Sequence, residues 1–514
     1  MKNKTIVIMG GGTAGWVSAL YCLNKSRDLN LNLKIKLISS NEISPIGVGE
    51  GTTPSFTNFV ENICGIDKKE FLKETKGSFK YGIKFDNWNF DNEYYYHLFK
   101  PTNVDTQKLI QYCINNKVSM PQKRLQSKLY GASAFELVEN NKFCIKKNKD
   151  HSYHFSADLI ISFFRKKCLE FKNFEHIEET IKNINYDSKG FICNLETNRE
   201  KKVIGDFFIN CLGFKSNTLL SEEYFDIENW DNYILNNSAF AIQVKNSLDG
   251  EIEPYTTSTA QEYGWSWKIP QYEKTGYGYV YSDHFVSDEE KLYNNLLKTY
   301  NIKEKDVFKA RVVKSKPYIN KKQLHKNCLS LGLASGFVEP LEATSIHMTL
   351  LGLDIFFELV ELKLIEDKEK SSNNYVDAFN SIMHKDWRNV FKFIIYHYFT
   401  NNPINDYWKH YKNIQKNNVF DFYEKYFYIG VFSNNEYFKI SLGMKMIDYY
   451  YSFSKDIQFK KNIEKYFSNT NSYKSEDLYS HKNILTSIHF NDRFDDESEI
   501  LKEIDLDKNL FNYH

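Results

Sequence analysis

Near the start of the chain, apolar residues form a short run typical of a strand, then recur at helical spacing, and then form a second strand-like run. Residues 5–9 read TIVIM, a short β-branched run, and residues 10–16, GGGTAGW, lead into apolar positions at helical spacing. A second apolar run, LKIKLIS at 33–39, follows. This order of strand, glycine turn, helix and strand predicts a βαβ unit within an α/β body.

The pattern changes in the last third of the chain. The middle mixes strands with helices, and from about residue 344 apolar and aromatic residues recur at helical spacing, as in 350–362 and 390–399. We therefore predict an α/β body over residues 1–350, with a substrate-facing insertion around 80–155. Residues 351–514 are predicted to form a mainly helical lobe that binds substrate.

Composition and charge narrow the classes of function. The chain has 514 residues, of which 42% are hydrophobic and 26% charged, as in ordinary soluble globular proteins. Lys plus Arg (67) nearly balances Asp plus Glu (66), for a formal net charge of +1. We therefore predict neither a nucleic-acid nor a membrane partner.

The cysteines indicate the compartment. Eight are scattered without a C-x-x-C pair, which argues against a zinc site and against a disulfide framework, so no metal is predicted. The N-terminus runs straight into the first strand without a signal-peptide pattern, and no apolar stretch of about 18 residues occurs. These features predict a cytoplasmic protein, and a homo-oligomer is compatible with the sequence.

Three glycines carry the first candidate chemistry. Gly10, Gly12 and Gly15 fit G-x-G-x-x-G between a strand and a helix. The first glycine permits a tight turn, the second lets backbone approach a pyrophosphate, and the third lets helix and strand pack closely. The context predicts a bound dinucleotide; the alternative is a purely structural glycine turn.

The choice between FAD and NAD depends on the strands that follow. The second strand ends in serines, including Ser39, and the nearest acidic residue, Glu42, comes late, so the contact to the ribose stays open. Residues 206–213, DFFINCLG, form a second strand that ends in glycine, Gly213. Such an element closes over a flavin in enzymes with two dinucleotide folds, which favours FAD.

A seven-residue segment is more specific than the glycine loop. Residues 264–270 read GWSWKIP, in which Trp265 and Trp267 would face the same side of a strand and form a wall. The segment resembles the G-W-x-W-x-I-P signature of flavin-dependent halogenases related to the tryptophan halogenases. Three more segments resemble the family in order: GVGEGT at 47–52, GSFKYGIKFDNW at 77–88 and GFVEPLEATSI at 336–346.

The resemblance implies a fold and a reaction. The fold would be a Rossmann-type FAD-binding body like that of flavoprotein monooxygenases, with a mainly helical substrate lobe. FADH2 from a separate flavin reductase would react with O2 to a flavin hydroperoxide, and chloride, bromide or iodide would attack it. The hypohalous acid formed would be guided to an electron-rich arene, so the chain would be an oxidoreductase.

Residue roles follow from the resemblance alone. Lys80 would be the catalytic lysine and Glu342 the catalytic glutamate. Thr344 and Ser345 would bind halide through backbone amides, although the family usually carries glycine at the second position. The residues implied to bind the cofactor are Gly10, Gly12, Thr13, Ala14, Gly15, Ser39, Gly47, Val48, Gly49, Glu50, Gly213, Gly336 and Ile346. Those implied to line the substrate site are His97, Phe99, Trp265, Trp267 and Pro340.

The substrate and the reaction class both keep alternatives. Residues 437–451 resemble the endings of relatives that act on indoles, phenols or carrier-bound substrates, so free tryptophan is one candidate among several. The matched residues have ordinary alternatives: a core tryptophan pair, core residues at His97 and Phe99, a surface lysine at 80, and a helix N-terminal charge at 342. The rival functions are a flavin-dependent aromatic hydroxylase and a non-catalytic FAD-binding protein.

Overall fold

The computed structural model of the chain describes residues 4–40, 50–88, 92, 94–99, 138–144, 151–247, 250–359, 373–398, 404–414, 478–480 and 485. The chain forms two compact units, each assembled from three separated stretches. Unit 1 comprises Met1–Thr75, Phe155–Asn237 and Val313–Phe391, and unit 2 comprises Lys76–His154, Ser238–Val312 and Lys392–His514. The domain boundary predicted near residue 350 stays a prediction.

The regular elements of the described residues are as follows. The strands are β1 Lys4–Met9, β2 Leu33–Ile38, β3 Glu50–Gly51, β4 Ser78–Lys80, β5 Gly82–Asp86, β6 Tyr94–Leu98, β7 Lys142–Cys144, β8 Ser152–Phe155, β9 Phe174–Ile177, β10 Ile181–Tyr186, β11 Ile192–Thr197, β12 Lys202–Ile204, β13 Phe207–Asn210, β14 Ile227–Asn229, β15 Ser238–Lys245, β16 Thr256–Gln261, β17 Gly264–Pro270, β18 Lys274–Tyr281, β19 Val307–Lys314, β20 Tyr318–Asn320, β21 Leu324–His325, β22 Cys328–Ser330, β23 Gly336–Phe337 and β24 Leu478–Ser480. The α-helices are α1 Thr13–Asp28, α2 Pro54–Thr57, α3 Lys68–Thr75, α4 Ala157–Leu169, α5 Ser216–Leu219, α6 Glu289–Thr299, α7 Thr344–Leu359, α8 Asn373–His397 and α9 Asp406–Ile414.

Unit 1 contains a six-stranded sheet in the order β21-β22-β13-β1-β2-β9. Its central strand, β1, pairs in parallel with β2 and with β13, so that Met9 lies opposite both Ile38 and Asn210. The apolar residues of β1 are completely buried, as expected for a strand in the middle of a parallel sheet. The βαβ unit predicted from the first 39 residues is confirmed by this pairing.

Unit 2 is organised on a seven-stranded sheet in the order β19-β15-β18-β17-β16-β5-β6. Tyr277, Tyr279 and Tyr281 alternate along β18 and share a buried cluster with Leu292 and Leu296 of α6. The residues between these tyrosines project from the opposite face of the sheet. Because side chains alternate along β18, one face of the sheet packs on α6 through the tyrosines, and the opposite face is formed by the intervening residues.

The second face of this sheet carries the tryptophans of β17. Trp267 lies opposite Gly278 of β18, and Trp265 lies opposite Val280. A Cβ at residue 278 would stand 2.0 Å from Cζ2 of Trp267, so glycine leaves the space that this indole fills.

Among the described residues, no helix combines the length and the apolar character needed to cross a membrane.

Candidate active site

The glycine loop at the end of β1 is shaped by close backbone contacts. Gly10 has φ 111°, and a Cβ there would lie 2.4 Å from the Cys211 carbonyl oxygen. A Cβ at Gly15 would lie 2.0 Å from the Gly10 carbonyl oxygen. Gly10 therefore suits the tight turn predicted for the first glycine, and Gly15 suits the close packing of helix and strand predicted for the third.

Gly12 has the opposite environment. It caps the N-terminus of α1 and is exposed, and a Cβ there would meet no described atom within 4 Å. The first turn of α1 contains no acidic residue. An open space before a helix N-terminus, reached by backbone without a side chain, fits the pyrophosphate of a dinucleotide.

Two polar side chains flank this loop. Ser39, just after β2, bonds through its hydroxyl to Nε2 of His176 at 2.8 Å, and burial lowers the pKa of His176 to about 4. Thr13 donates its hydroxyl hydrogen to Oε1 of Glu50 at 3.2 Å. Burial raises the pKa of the Glu50 carboxyl to about 7, against the lowering effect of that hydrogen bond.

The remaining residues predicted to bind the cofactor in unit 1 lie at turns, in a short strand and in the first turns of two helices. Gly213 has φ 62°, and a Cβ at Gly336 would stand 3.0 Å from the Tyr318 carbonyl oxygen. Ala14 packs closely on Gly332, because a Cβ added at residue 332 would stand 2.6 Å from the Cβ of Ala14. Ile346 is half-buried in the first turn of α7. Gly47, Val48 and Gly49 lie outside the described residues, as do residues 437–451.

The turn before α7 has an unusual backbone. Glu342 and Ala343 adopt φ values of 68° and 55°, a left-handed conformation that costs non-glycine residues about 1–3 kcal/mol each. The Ala343 amide donates to the Pro340 carbonyl oxygen at 3.0 Å, which closes the turn. Glu342 is buried, whereas Pro340 is exposed. Retained strain around a buried carboxylate is typical of a functional site.

The first turn of α7 follows directly. Thr344 is buried and Ser345 half-buried, and the Ser345 carbonyl oxygen accepts a hydrogen bond from Thr349 at 3.0 Å. The first turn contains no acidic residue. The amides that begin α7 therefore lie at the positive end of a 16-residue helix, a setting that suits an anion.

Two polar contacts near this turn were missed by the sequence analysis. His347 of α7 bonds through Nδ1 to the Ser55 hydroxyl at 3.0 Å, and burial lowers the pKa of His347 to about 4. Asn236 donates to the buried carboxylate of Glu339 at 3.0 Å. Glu339 and His347 adjoin or lie within the segment GFVEPLEATSI, and that position was the available signal.

Lys80 lies in unit 2, in the short strand β4. Its side chain is completely buried, and Nζ stands 5.3 Å from the centroid of the Phe99 ring, within cation–π range. The Phe99 amide donates to the carbonyl oxygen of Tyr81, the residue after Lys80, at 2.8 Å. Lys80 is therefore not the surface lysine of the alternative interpretation.

The aromatic residues of unit 2 occupy ordered positions. His97 of β6 is completely buried, and its ring makes an edge contact with Phe393 at 5.8 Å between centroids. Trp265 and Trp267 are buried with centroids 5.9 Å apart, on one side of β17 as predicted. The Trp265 indole nitrogen has no hydrogen-bond partner within the described part of the chain.

The structure thus distributes the described candidate residues over the two units. Those in unit 1 are Gly10, Gly12, Thr13, Ala14, Gly15, Ser39, Glu50, Gly213, Gly336, Pro340, Glu342, Thr344, Ser345 and Ile346. Those in unit 2 are Lys80, His97, Phe99, Trp265 and Trp267. Unit 1 carries the glycines and the helix N-termini, and unit 2 carries the lysine, beside Phe99, and the other aromatic rings.

Comparisons with known proteins identify the fold. The chain superposes on a tryptophan halogenase from Shewanella frigidimarina with TM-score 0.80 at 22% identity, covering 95% of this chain and 97% of that one. It superposes on Xcc4156, a flavin-dependent halogenase from Xanthomonas campestris, with TM-score 0.76 at 23% identity, covering 95% and 99%. The predicted α/β fold with an FAD-binding Rossmann-type body is confirmed by these likenesses.

Sequence comparisons identify the family. The sequence model of the family "Tryptophan halogenase" matches residues 5–456. The chain is 32% identical to tryptophan 6-halogenase ThaL of Streptomyces albogriseolus over 375 residues, which is 67% of this chain and 68% of ThaL. It is 28% identical to tryptophan 7-halogenase RebH of Lentzea aerocolonigenes, over 67% of this chain and 68% of RebH. The chain therefore belongs to the tryptophan halogenase family, and the predicted enzyme class, a flavin-dependent halogenase, is confirmed.

Proposed function

We propose that this enzyme halogenates an electron-rich aromatic compound, such as an indole, a tryptophan or a phenol, with FADH2, O2 and a halide. A separate flavin reductase would supply the reduced cofactor. The observation that carries the proposal is the complete burial of Lys80 beside the Phe99 ring, because fully buried lysines are rare in proteins. The cytoplasmic location stays a prediction.

The cofactor would be held by unit 1. Its pyrophosphate fits the open space at Gly12 before α1, and Thr13, Ser39 and Glu50 flank that loop. Gly47, Val48 and Gly49 are proposed to contact the flavin through backbone. When bound and reduced, FAD supplies with O2 the oxidation that converts halide to hypohalous acid.

Halide is proposed to bind at the amides of Thr344 and Ser345. These residues begin α7, where the helix dipole favours an anion, and the first turn contains no carboxylate that would repel one. Ser345 carries a hydroxyl where the family usually has glycine.

Lys80 is proposed to direct the hypohalous acid. This reagent attacks many groups, so selective halogenation needs a positioned partner away from bulk water. Lys80 can act as an ammonium that donates a hydrogen bond to the hypohalous acid, or as an amine that forms a haloamine. Both roles need a buried lysine, and the Phe99 ring beside its nitrogen suits an aromatic acceptor.

Glu342 is proposed to complete the substitution as a base. When a carbon–halogen bond forms on the arene, the carbon–hydrogen bond at the same carbon breaks and its proton needs an acceptor. His97 and Phe99 would orient the arene ring, and Trp265 and Trp267 would form a wall that keeps the arene from the flavin. Pro340 is proposed as a further substrate contact.

The test is the mass of the product. The protein is incubated with a flavin reductase, NADH, FAD, bromide and a set of simple indoles and phenols, and a reaction without bromide is the control. A mass gain with the isotope pattern of one bromine supports the halogenase. A gain of one oxygen would indicate the aromatic hydroxylase, and an unchanged substrate would indicate a non-catalytic FAD-binding protein.

A further inference from the structure

Buried polar side chains surround the strand that carries Lys80. In the antiparallel pair of β4 and β8, Lys80 lies opposite Ser152, and Ser78 lies opposite His154. All four residues are completely buried. Directly opposed residues of antiparallel strands project from the same face, so Lys80 belongs to a buried polar face rather than to an apolar one.

His154 connects three segments of unit 2 through this face. Its Nδ1 lies 3.2 Å from the Ser78 hydroxyl, and its Nε2 lies 2.9 Å from the Thr256 hydroxyl. Ser78 in turn donates to the Pro270 carbonyl oxygen at 2.6 Å. One imidazole ring therefore joins β8 to β4 and β16, and through Ser78 to the end of β17.

The donors and acceptors in this series of hydrogen bonds allow only one tautomer of a neutral His154 imidazole. Ser78 has a single hydroxyl hydrogen, which it donates to Pro270, so it must accept from His154. Nδ1 of His154 therefore carries the ring proton, and Nε2 accepts the hydroxyl hydrogen of Thr256. The hydrogen bonds run in one direction, from Thr256 through His154 and Ser78 to Pro270.

This series of hydrogen bonds holds the backbone before Lys80 at Ser78, and another hydrogen bond holds the backbone after Lys80. The amide of Tyr81, the next residue, donates to the Pro254 carbonyl oxygen at 2.7 Å. Strand β4 is only three residues long and lies at the edge of its three-stranded sheet, beside β8. Because the lysine side chain has four flexible methylenes, the place of its amine depends on how firmly Ser78 and Tyr81 are held.

We propose that His154 is a positioning residue for Lys80. By holding Ser78, it keeps the amine two residues later where hypohalous acid must be delivered to the arene. The inference rests on the proposed role of Lys80. A displacement of about 1 Å at a reacting group can cost on the order of 10²-fold in rate, so a loosened β4 should misdirect the oxidant without slowing its formation.

The experiment measures how the oxidant is divided between two acceptors. Wild type and His154→Leu are assayed with flavin reductase, NADH, bromide, an indole and a soluble thioether. A thioether takes the oxygen of hypobromous acid to become a sulfoxide, and bromide and a proton are released. We expect unchanged O2 uptake, about tenfold less bromoindole per O2 in His154→Leu, and a matching gain in sulfoxide.

Three variants separate positioning from general damage. His154→Asn keeps an N–H near the place of Nδ1 and should recover much of the lost yield, whereas Ser78→Ala should lower the yield with a smaller change in packing. His151→Leu is the matched control. His151 is also a buried histidine beside β8, but it bonds to the Tyr153 hydroxyl and packs on Phe79. All variants are assayed well below their unfolding temperatures.

Each outcome decides the inference. It is overturned if folded His154→Leu divides the oxidant as wild type does, if His154→Asn recovers nothing, or if His151→Leu loses as much yield as His154→Leu. A wild-type enzyme that makes no bromoindole would overturn the proposed function and this inference together. A wild type that brominates beside an unchanged His154→Leu would overturn the inference alone.

Discussion

Units 1 and 2 present their candidate residues by opposite means. In unit 1 the glycine loop and the turn before α7 each lead into a helix N-terminus, and in the glycine loop side chains are absent where the chain must approach closely. In unit 2 the candidates are large side chains, Lys80 and the two tryptophans of β17, held by a fully packed surrounding. Added atoms should therefore damage unit 1, and removed atoms should damage unit 2.

Glu342 is the exception that makes the comparison useful. Glycine would adopt its left-handed conformation without strain, as Gly10 does at φ 111°. A glycine has no carboxylate, however, and the proposed proton transfer needs one. The turn before α7 therefore retains strain at two residues, and the glycine loop has none to retain.

The largest expected effect comes from removing atoms in unit 2. Lys80→Ala should oxidise FADH2 and consume O2 at the wild-type rate but form no halogenated product, because halide is oxidised before the lysine acts. Product mass and O2 uptake are measured in the same reaction. Normal halogenation by Lys80→Ala would show that the role is assigned to the wrong residue.

The carboxylate of unit 1 should give the next largest effect. Glu342→Gln keeps the shape of the side chain but removes the base, and general bases typically contribute about 10²–10⁴-fold to a rate. We expect a loss in that range in the yield of halogenated arene, with halide oxidation retained. A variant whose yield falls less than about tenfold would argue for a charge at the helix N-terminus instead.

Adding one carbon at two glycines should separate folding from binding. Gly15→Ala places a Cβ against the Gly10 carbonyl oxygen and should destabilise the protein by about 1–3 kcal/mol. Gly12→Ala has open space, so it should leave the unfolding temperature unchanged and weaken FAD binding about tenfold. Thermal unfolding without FAD and a fluorescence titration with FAD provide the two measurements. Equal FAD affinity in Gly12→Ala and wild type would show that the pyrophosphate does not occupy the space at Gly12.

Relief of strain should have a smaller effect, of opposite sign. Ala343→Gly removes the cost of φ 55° and should stabilise the protein by up to about 1 kcal/mol. Ala334→Gly is the matched control. Ala334 is buried and is not among the residues with positive φ, so this substitution should destabilise the protein. We also expect a higher KM for halide in Ala343→Gly, because the amides of α7 would be less firmly oriented. Lower stability in Ala343→Gly would contradict the strain argument.

The last expected effect concerns stability and depends on pH. The pKa of Glu50 rises from 4.5 to about 7 on folding, so the folded state binds this proton more tightly than the unfolded state. The contribution of Glu50 to stability therefore falls as pH rises from 4.5 to about 7, and it stays low above that. Glu50→Gln should gain about 2 °C in unfolding temperature relative to wild type between about pH 5 and pH 8. A constant difference between the two proteins across this range would show that the carboxyl titrates normally.

Local sequence patterns predicted much of unit 1. The glycine spacing and the two apolar runs were sufficient for the βαβ unit, because strand pairing and the helix N-terminus there depend on neighbouring residues. The alternation in GWSWKIP likewise predicted that Trp265 and Trp267 share one side of a strand. Lys80 and Glu342 came from resemblance to a family, and no local pattern around them would have indicated burial.

Other features depend on residues that are distant in the chain. The left-handed conformation of Glu342 and Ala343 was missed because neither residue type favours it. The role of His154 was missed because its partners, Ser78 and Thr256, lie 76 and 102 residues away. The interleaving of three stretches in each unit was also absent from the expectations, since composition changes little where the chain passes between units.

By itself, the amino-acid sequence determined the first βαβ unit, the glycine turn, the facing of the tryptophans and the family. These properties follow from short-range periodicity and from side-chain size at single positions. Only the tertiary structure decided that Lys80 is buried, that strain persists beside Glu342, and that one imidazole joins three segments of unit 2. Those properties arise when distant segments exclude water together, because burial and hydrogen bonding then depend on every neighbour at once.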